Sequence, residues 1–249
     1  MMIKITEKCS MGCSHCMNNA TSNGKHMNFE IFQNVIKFQK KYGGPFCIIT
    51  GGEPTEHPQF EYFLRYALEK LENCFITVTT NGVWMQDHFD YIKWMNSVYG
   101  VRLMFQVCND KRYYPTVIDW NNPVFEFNNV ITCDKVEHIY PQGRALSNGL
   151  EWESKCSKCF NIRAITKQCL IKDLGTIIGM LGVRQKFCTP HIAIDGSIKL
   201  GESDLCPPCS HIDKKHSEII KDILNFKCNG CNHINCNLEE KYKKLIGEE

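Results

Sequence analysis

The chain has 249 residues, a hydrophobic fraction of 43% and a formal net charge of +2, which suit one sizeable domain with a normal buried core. A charge this close to zero excludes a dedicated nucleic-acid-binding protein, which would carry a clear excess of basic residues. No apolar run reaches the roughly 18–20 residues of a membrane span. The first residues lack the charged-then-apolar pattern of a signal peptide. We therefore expect a cytoplasmic protein with no membrane partner.

Strand-like and helix-like segments alternate along the first half of the chain. Helices are predicted from near Asn28, from Pro58 and over 87–97, and apolar residues recur at helical spacing in the first two. The predicted strands are a run ending at Lys4-Ile5-Thr6 and the segments 46–50, 74–80, 101–107, 130–133 and 136–140. This alternation indicates a parallel sheet with helices packed outside it. Such sheets place their chemistry at the carboxyl ends of the strands.

The second half of the sequence differs in character, with short helical segments and cysteine pairs. Residues 191–200 predict a β-hairpin with a two-residue turn at Asp195-Gly196. Ser217 is a predicted helix cap, followed by Ile219, Ile220, Ile223 and Leu224 on one helix face. A boundary between the two halves is expected between residues 145 and 155.

Cysteine is the residue type farthest from ordinary usage, with 16 in the chain. Without an export signal, metal or iron–sulfur ligation is a stronger interpretation than a disulfide framework. Cys9, Cys13 and Cys16 have the spacing C-x3-C-x2-C, so three thiolates on one loop would bind three irons of a cubane and leave the fourth iron open. Zinc bound by these cysteines and His15 is the alternative. Cys47, Cys74 and Cys133 lie in apolar strands and are expected to be packed thiols, whereas the role of Cys108 stays open.

Four segments in order resemble the motifs of the radical S-adenosylmethionine (SAM) superfamily. They are the cysteine triplet after the first strand, Gly51-Gly52-Glu53-Pro54 after the second, Thr80-Asn81-Gly82 after the third and Gly143-Arg144-Ala145 after the sixth. The resemblance covers residues 1–146 and implies an α/β fold, a partial (β/α)6 barrel followed by a small cysteine-rich, cluster-binding extension. The corresponding domains are 1–147 and 148–249.

The resemblance also implies the roles of residues. SAM would chelate the open iron of a [4Fe–4S] cluster and be cleaved to a 5′-deoxyadenosyl radical that abstracts hydrogen from a substrate. Gly51, Gly52, Glu53 and Pro54 would meet the methionine amino group. Further SAM-binding candidates are Thr80, Asn81, Gln106 or Asn109 toward the ribose, Lys111 or Arg112 toward the methionine carboxylate, and Arg144.

The later cysteines resemble the SPASM/twitch extension that binds auxiliary clusters, with departures from its spacing. The candidate ligands are Cys156, Cys159, Cys188, Cys206, Cys209, Cys228, Cys231 and Cys236. One auxiliary [4Fe–4S] cluster is expected and a second is left open, as is structural zinc on Cys228, Cys231, His233 and Cys236. Such clusters favour an anaerobic or low-oxygen setting.

The resemblance leaves the substrate open between two classes. Relatives with SPASM-type extensions often modify peptides or proteins, which makes a peptide side chain the leading hypothesis. A small molecule or nucleotide in cofactor or modified-base synthesis is the alternative, and a non-enzymatic iron–sulfur or zinc-binding protein is a remote one. Expected partners are SAM, an electron donor such as flavodoxin or ferredoxin, and a separate substrate-recognition protein.

Overall fold

A mixed eight-stranded sheet forms the centre of the computed structural model, which describes residues 1–136, 139, 142–150, 190–200 and 206–225. The strand order is β5-β4-β3-β2-β1-β6-β7-β8. The strands are β1 Met2–Thr6, β2 Phe46–Gly51, β3 Phe75–Thr80, β4 Leu103–Cys108, β5 Val130–Cys133, β6 Pro190–Ile192, β7 Ser197–Leu200 and β8 Pro208–His211.

Five successive strands, β1 to β5, are neighbours and run parallel. Parallel neighbours need crossover connections, and helices supply them in most cases. The α-helices described within the first 150 residues are α1 Phe29–Tyr42, α2 Phe60–Lys70, α3 Val83–Gln86, α4 Phe89–Tyr99 and α5 Gly143–Ser147. The predicted alternation and the parallel sheet are therefore confirmed over this part of the chain.

Alternate strand residues point into the apolar layer between sheet and helices. Ile49 and Val78 are fully buried there, together with the predicted α2 face of Phe60, Phe63, Leu64, Ala67, Leu68 and Leu71. Asn28 caps α1 by accepting a hydrogen bond from Ile31 N at 2.8 Å, which satisfies an otherwise unpaired helix-start amide. Helix α2 begins at Phe60, because a 3-10 turn over Pro54–Glu56 and the following residues occupy its expected start.

The strands after residue 189 extend the sheet on the far side of β1. Strand β6 pairs parallel with β1, and β7 and β8 then add in antiparallel fashion. The predicted two-residue turn is wrong, since residues 193–196 connect β6 to β7 and Gly196 takes the left-handed φ of +89°. Ser217 is not a cap, because α6 spans His216–Asn225 and Ser217 lies inside it.

Two sequence predictions fall where little or nothing is described. Residues 137, 138 and 140 of the predicted strand 136–140 lie outside the described residues, and so do residues 151–189, which follow the proposed domain boundary. Among the helices that are described, none combines the length and apolarity needed to cross a membrane.

Candidate active site at the carboxyl edge of the sheet

The cysteine triplet lies on the loop between β1 and α1, at the carboxyl edge of the parallel strands. Backbone hydrogen bonds shape this loop: Cys9 N donates to Thr21 O at 2.9 Å, and Cys16 N donates to Cys13 O at 3.3 Å. Gly12 has a φ of +68°, a conformation that costs a residue with a side chain about 1–2 kcal/mol. The loop therefore carries three free thiols on one folded segment.

The environment of these thiols disfavours their charged form in the absence of metal. The pKa of Cys9 is raised to about 11, chiefly by burial, and the nearby Glu53, Glu56 and Cys16 contribute to this rise. Burial also raises the pKa of Cys13 to about 12, with Cys9 and Cys16 adding to the effect. Since a thiolate is the metal ligand, binding of the predicted cluster at this loop would release protons.

The predicted glycine-rich turn lies directly against the backbone that leads into Cys9. Gly52 N donates to Thr6 O, and Glu53 N donates to Lys8 O, both at 2.8 Å. A Cβ at Gly51 would collide with Thr6 O, and one at Gly52 would collide with Lys8 O. Glycine is required at both positions because two backbones meet there.

Glu53 is buried beneath this turn, with its side chain fully engaged. Its carboxylate accepts hydrogen bonds from Thr80 Oγ1 and Asn81 N, each at 2.7 Å. Thr55 donates two more, from Oγ1 at 2.7 Å and from N at 3.2 Å. Burial raises the pKa of Glu53, and the hydrogen bonds from Asn81, Thr80 and Thr55 oppose that rise. The carboxylate thus joins the predicted Gly51–Pro54 and Thr80–Asn81 segments.

A second carboxylate, which the sequence analysis did not single out, holds the start of the cysteine loop. Glu56 accepts hydrogen bonds from Ser10 N at 2.7 Å and from Ser10 Oγ at 2.8 Å. Ser10 follows Cys9 directly, so Glu56 fixes the backbone next to the first predicted ligand. Its position three residues after Glu53 is the only sequence signal, and it is a weak one.

The segment beginning at Gly143 holds the other end of the loop. Arg144 Nη1 donates to Cys13 O at 2.8 Å and Nη2 donates to Ala20 O at 2.7 Å. Arg144 N donates to Cys16 O at 2.8 Å. Asn148 Nδ2 also donates to Ser14 O at 2.9 Å. The guanidinium of Arg144 therefore positions the cysteine loop in this structure.

The remaining SAM-binding candidates divide between buried and exposed positions. Gln106 is exposed on the face of β4 that points away from the helix layer. Asn109 is buried and donates from Nδ2 to Asn81 O and Thr116 O, while its Oδ1 has no hydrogen-bond partner within the described ranges. Arg112 is half-exposed and pairs with Asp110, Nε lying 3.0 Å from both carboxylate oxygens. This hydrogen-bonded pair holds the pKa of Asp110 well below its usual range.

His15, which the sequence suggested only as a possible zinc ligand, packs against two aromatic rings. Its ring lies 5.2 Å from the Tyr113 ring and 5.0 Å from the Tyr114 ring, centroid to centroid. Burial lowers the pKa of His15, although Asp110 opposes this. Two adjacent tyrosines after β4 thus form one wall beside the cysteine loop.

Only two of the candidate auxiliary ligands lie within the described residues. Cys206 is half-buried before β8, and Cys209 on β8 donates from Sγ to Ile198 O at 3.2 Å. Burial raises the pKa of Cys209 to about 11. The other candidates lie outside the described residues: Cys156, Cys159, Cys188, Cys228, Cys231 and Cys236.

Comparison with known proteins agrees with this geometry. Residues 3–122 match the family model of the radical SAM superfamily. A probable GTP 3′,8-cyclase from Methanosarcina acetivorans is 27% identical over 99 residues, a segment that spans 37% of this chain and 29% of that protein.

Solved structures resemble the chain over nearly its whole length. BtrN in complex with AdoMet and 2-DOIA has a TM-score of 0.58 at 12% identity, covering 99% of this chain and 86% of that one. Native anSMEcpe with bound AdoMet and the Kp18Cys peptide has a TM-score of 0.53 at 13% identity, covering 98% and 82%. The chain has an α/β fold with a parallel sheet similar to that of radical SAM enzymes, and the family match supports an enzyme of this class.

Proposed function

We propose that this chain binds a [4Fe–4S] cluster through Cys9, Cys13 and Cys16 and cleaves SAM reductively to begin radical chemistry. The main support for this proposal is that one loop carries three free thiols and that hydrogen bonds fix its backbone from two sides. Glu56 holds it near Cys9, and Arg144 holds it at Cys13. A loop fixed in this way can keep three ligands in place while one cluster position stays open for a small molecule.

The chemistry of the donor set fits a cluster better than a single ion. Within the part of the chain that the structure describes, no three His, Cys, Asp or Glu side chains converge closely enough to hold one metal ion. A mononuclear zinc site draws its ligands to about 2.0–2.3 Å from one centre. Three thiolates on separate irons need no such convergence, so the zinc alternative with His15 has less support.

When bound, the cluster and SAM supply the family's chemistry, a 5′-deoxyadenosyl radical that abstracts hydrogen from the substrate. We assign the methionine amino group to the backbone of the Gly51–Pro54 turn, because the Glu53 carboxylate is engaged with Thr55, Thr80 and Asn81. The Oδ1 of Asn109, which has no hydrogen-bond partner among the described residues, is a buried acceptor suited to a ribose hydroxyl.

For the substrate, we propose a peptide or protein side chain, with electrons delivered by a flavodoxin or ferredoxin. The support is a fold similar to that of a structure with a bound peptide over 98% of the chain. A nucleotide is the second candidate, because the sequence match to a probable GTP 3′,8-cyclase favours it. We further propose that Cys206 and Cys209, together with other cysteines of the candidate set, bind one auxiliary [4Fe–4S] cluster.

The proposed reaction is tested by anaerobic reconstitution with iron and sulfide, followed by dithionite and SAM. We expect 5′-deoxyadenosine from the wild-type protein and none from Cys13→Ala. Cys47→Ala is the matched control, because it removes a buried strand thiol outside the loop. Cleavage of SAM by pure Cys13→Ala protein would refute the cluster assignment.

Two further measurements separate the finer proposals. If GTP at millimolar concentration stimulates 5′-deoxyadenosine formation several-fold, the nucleotide candidate replaces the peptide. A variant lacking Cys9, Cys13 and Cys16 should retain cluster-bound iron and sulfide if an auxiliary cluster exists. Retention of zinc alone would show a structural metal instead.

A further inference from the structure

Two cysteines outside the proposed cluster site are the last residues of neighbouring parallel strands. Cys108 ends β4, Cys133 ends β5, and the two are partners in the β4–β5 register. Paired residues project to the same face of a sheet, and neighbouring strands lie about 4.7–4.9 Å apart. Disulfides form between cysteines whose Cα atoms are about 4.4–6.8 Å apart. The backbone therefore already has a separation that one disulfide can bridge.

The two side chains also contact each other. Both are free thiols, and Asn109 N donates to Cys133 O at 3.1 Å, which joins the two strand ends. Burial raises the pKa of Cys108 to about 12, and Cys133 adds to the rise as its neighbour and hydrogen-bond partner. Cys133 Sγ donates to Lys135 O at 2.9 Å. Because the two thiols are already hydrogen-bond partners, a change of side-chain rotamer can bring the sulfurs together.

This thiol pair is near the cysteine loop. Burial raises the pKa of Tyr114, and its neighbours Cys108, Cys13, Glu53 and Cys133 raise it further. The Tyr114 ring, whose centroid lies 5.0 Å from that of His15 in the cysteine loop, is therefore within electrostatic range of both thiols, of Cys13 and of Glu53. Cys47 and Cys74, in contrast, lie in the apolar core and are not register partners.

We propose that Cys108 and Cys133 form a redox-active dithiol that closes to an intramolecular disulfide by exchange with a small-molecule disulfide. One thiolate attacks the disulfide of the oxidant, which forms a mixed disulfide with the protein and releases one half of the oxidant as a thiol. The second thiolate then attacks the protein sulfur of this mixed disulfide and displaces the other half as a thiol. The chain loses two protons and two electrons, and the oxidant becomes two thiols. The pair is a two-electron centre made of side chains, separate from the cluster expected on Cys9, Cys13 and Cys16.

The test uses the reconstituted, cluster-bound protein and oxidised glutathione as the oxidant under anaerobic conditions. Incubation at about pH 8.5 increases the fraction of thiolate over that at neutral pH, because only the thiolate reacts. After acid quenching, free thiols are alkylated and the protein is digested with trypsin. Cleavage after Arg102, Lys111, Arg112 and Lys135 leaves Cys108 and Cys133 on separate peptides, 103–111 and 113–135, each with one cysteine.

We expect these two peptides to appear joined by a disulfide and to separate after reduction. Cys47→Ser should leave the joined pair unchanged, whereas Cys108→Ser and Cys133→Ser should each abolish it. The proposal is wrong if both peptides from the wild-type protein carry only the alkylating agent or glutathione. The mapping requires no activity, so its outcome is independent of the proposed SAM cleavage.

Discussion

Arg144 donates a hydrogen bond from Nη1 to the carbonyl oxygen of Cys13 at 2.8 Å, across 131 positions of sequence. Its Nη2 reaches Ala20 O as well, so one guanidinium holds two points of the cysteine loop. Hydrogen bonds to a charged group are worth about 1.5–3 kcal/mol each. We predict that Arg144→Met lowers cluster iron per chain and that Arg144→Lys lowers it less.

The measurement is iron and sulfide per chain after anaerobic reconstitution. Arg65→Met is the matched control, because Arg65 is an exposed residue of α2 whose guanidinium faces the Trp94 ring rather than the loop. Wild-type iron content in Arg144→Met would show that the loop holds its shape without the guanidinium.

Gly143 and Gly149 form a natural pair of test positions, because both have left-handed φ angles, +58° and +64°. A Cβ at Gly143 would collide with Met17 O, whereas one at Gly149 meets nothing within 4 Å. Gly149→Ala should therefore lower the free energy of unfolding by about 1–2 kcal/mol, which is the cost of placing a residue with a side chain in the left-handed conformation. Gly143→Ala should lose more stability and should also bind less cluster iron.

Thermal unfolding of the reconstituted proteins and iron content together check this comparison. Equal losses in the two variants would mean that the loop moves away from residue 143 without consequence for the cluster.

Glu53 accepts four hydrogen bonds, which a glutamine cannot replace, since its amide has only one acceptor oxygen. Glu53→Gln leaves Asn81 N or the Thr55 and Thr80 donors facing an NH₂ group. An unsatisfied buried group costs about 1–3 kcal/mol, so we expect lower stability and slower SAM cleavage.

Glu56→Gln is the comparison for this variant, because Glu56 makes its contacts with Ser10 at an exposed site. Its stability loss should be smaller than that of Glu53→Gln, as solvent can replace the lost partner. The two are compared by chemical denaturation and by the rate of 5′-deoxyadenosine formation. The reverse order of stability losses would contradict the assigned role of burial.

His57 gives a pH-dependent contribution to stability. Gln59 N donates to His57 Nδ1 at 3.0 Å, so Nε2 carries the proton and donates to Met27 O at 3.0 Å. Burial lowers the pKa of His57 from 6.5, and the neighbouring His26 adds to this. The folded state therefore binds the proton less readily than the unfolded state, and stability is lost as pH falls through about 6.5.

We predict that His57→Gln flattens the dependence of the unfolding midpoint on pH between about 7.5 and 5.5. The wild-type protein should lose stability over this interval. His88→Gln is the matched control, because it removes a histidine that is less buried than His57 and that stacks on the Trp84 ring. A slope in His57→Gln equal to that of the wild type would assign the pH dependence to another group.

Local patterns in the sequence predicted much of the fold of the first 133 residues. The helical period of α2 and the apolar run of β2 follow from side-chain periodicity, and both are observed. Predictions failed where contacts with an adjacent segment decide where an element begins. Helix α2 starts at Phe60 rather than Pro58, because residues 57–60 form a separate turn in which Phe60 N donates to His57 O at 2.9 Å.

The candidate site shows the same division between local and long-range information. Cys9, Cys13, Cys16 and the glycine-rich turn are visible as motifs, because their chemistry depends on spacing within a few residues. The partner of Arg144 is set by contacts between distant segments, which a single sequence does not record. Cys133 was predicted to be a packed thiol, yet it is half-buried and contacts Cys108, because the register of β4 and β5 brings them together.

The position of β1 has a consequence for the order in which the protein is assembled during synthesis. β1 leaves the ribosome before β2 and β6, the two strands between which it lies, and β6 begins only at Pro190. Until then β1 is an unpaired edge on one side, and the cysteine loop that follows it also lacks Arg144 until residue 144 emerges. Such long-range pairing forms late. Iron–sulfur delivery to this chain is therefore best timed after translation, when the strand that carries the loop has both of its neighbours.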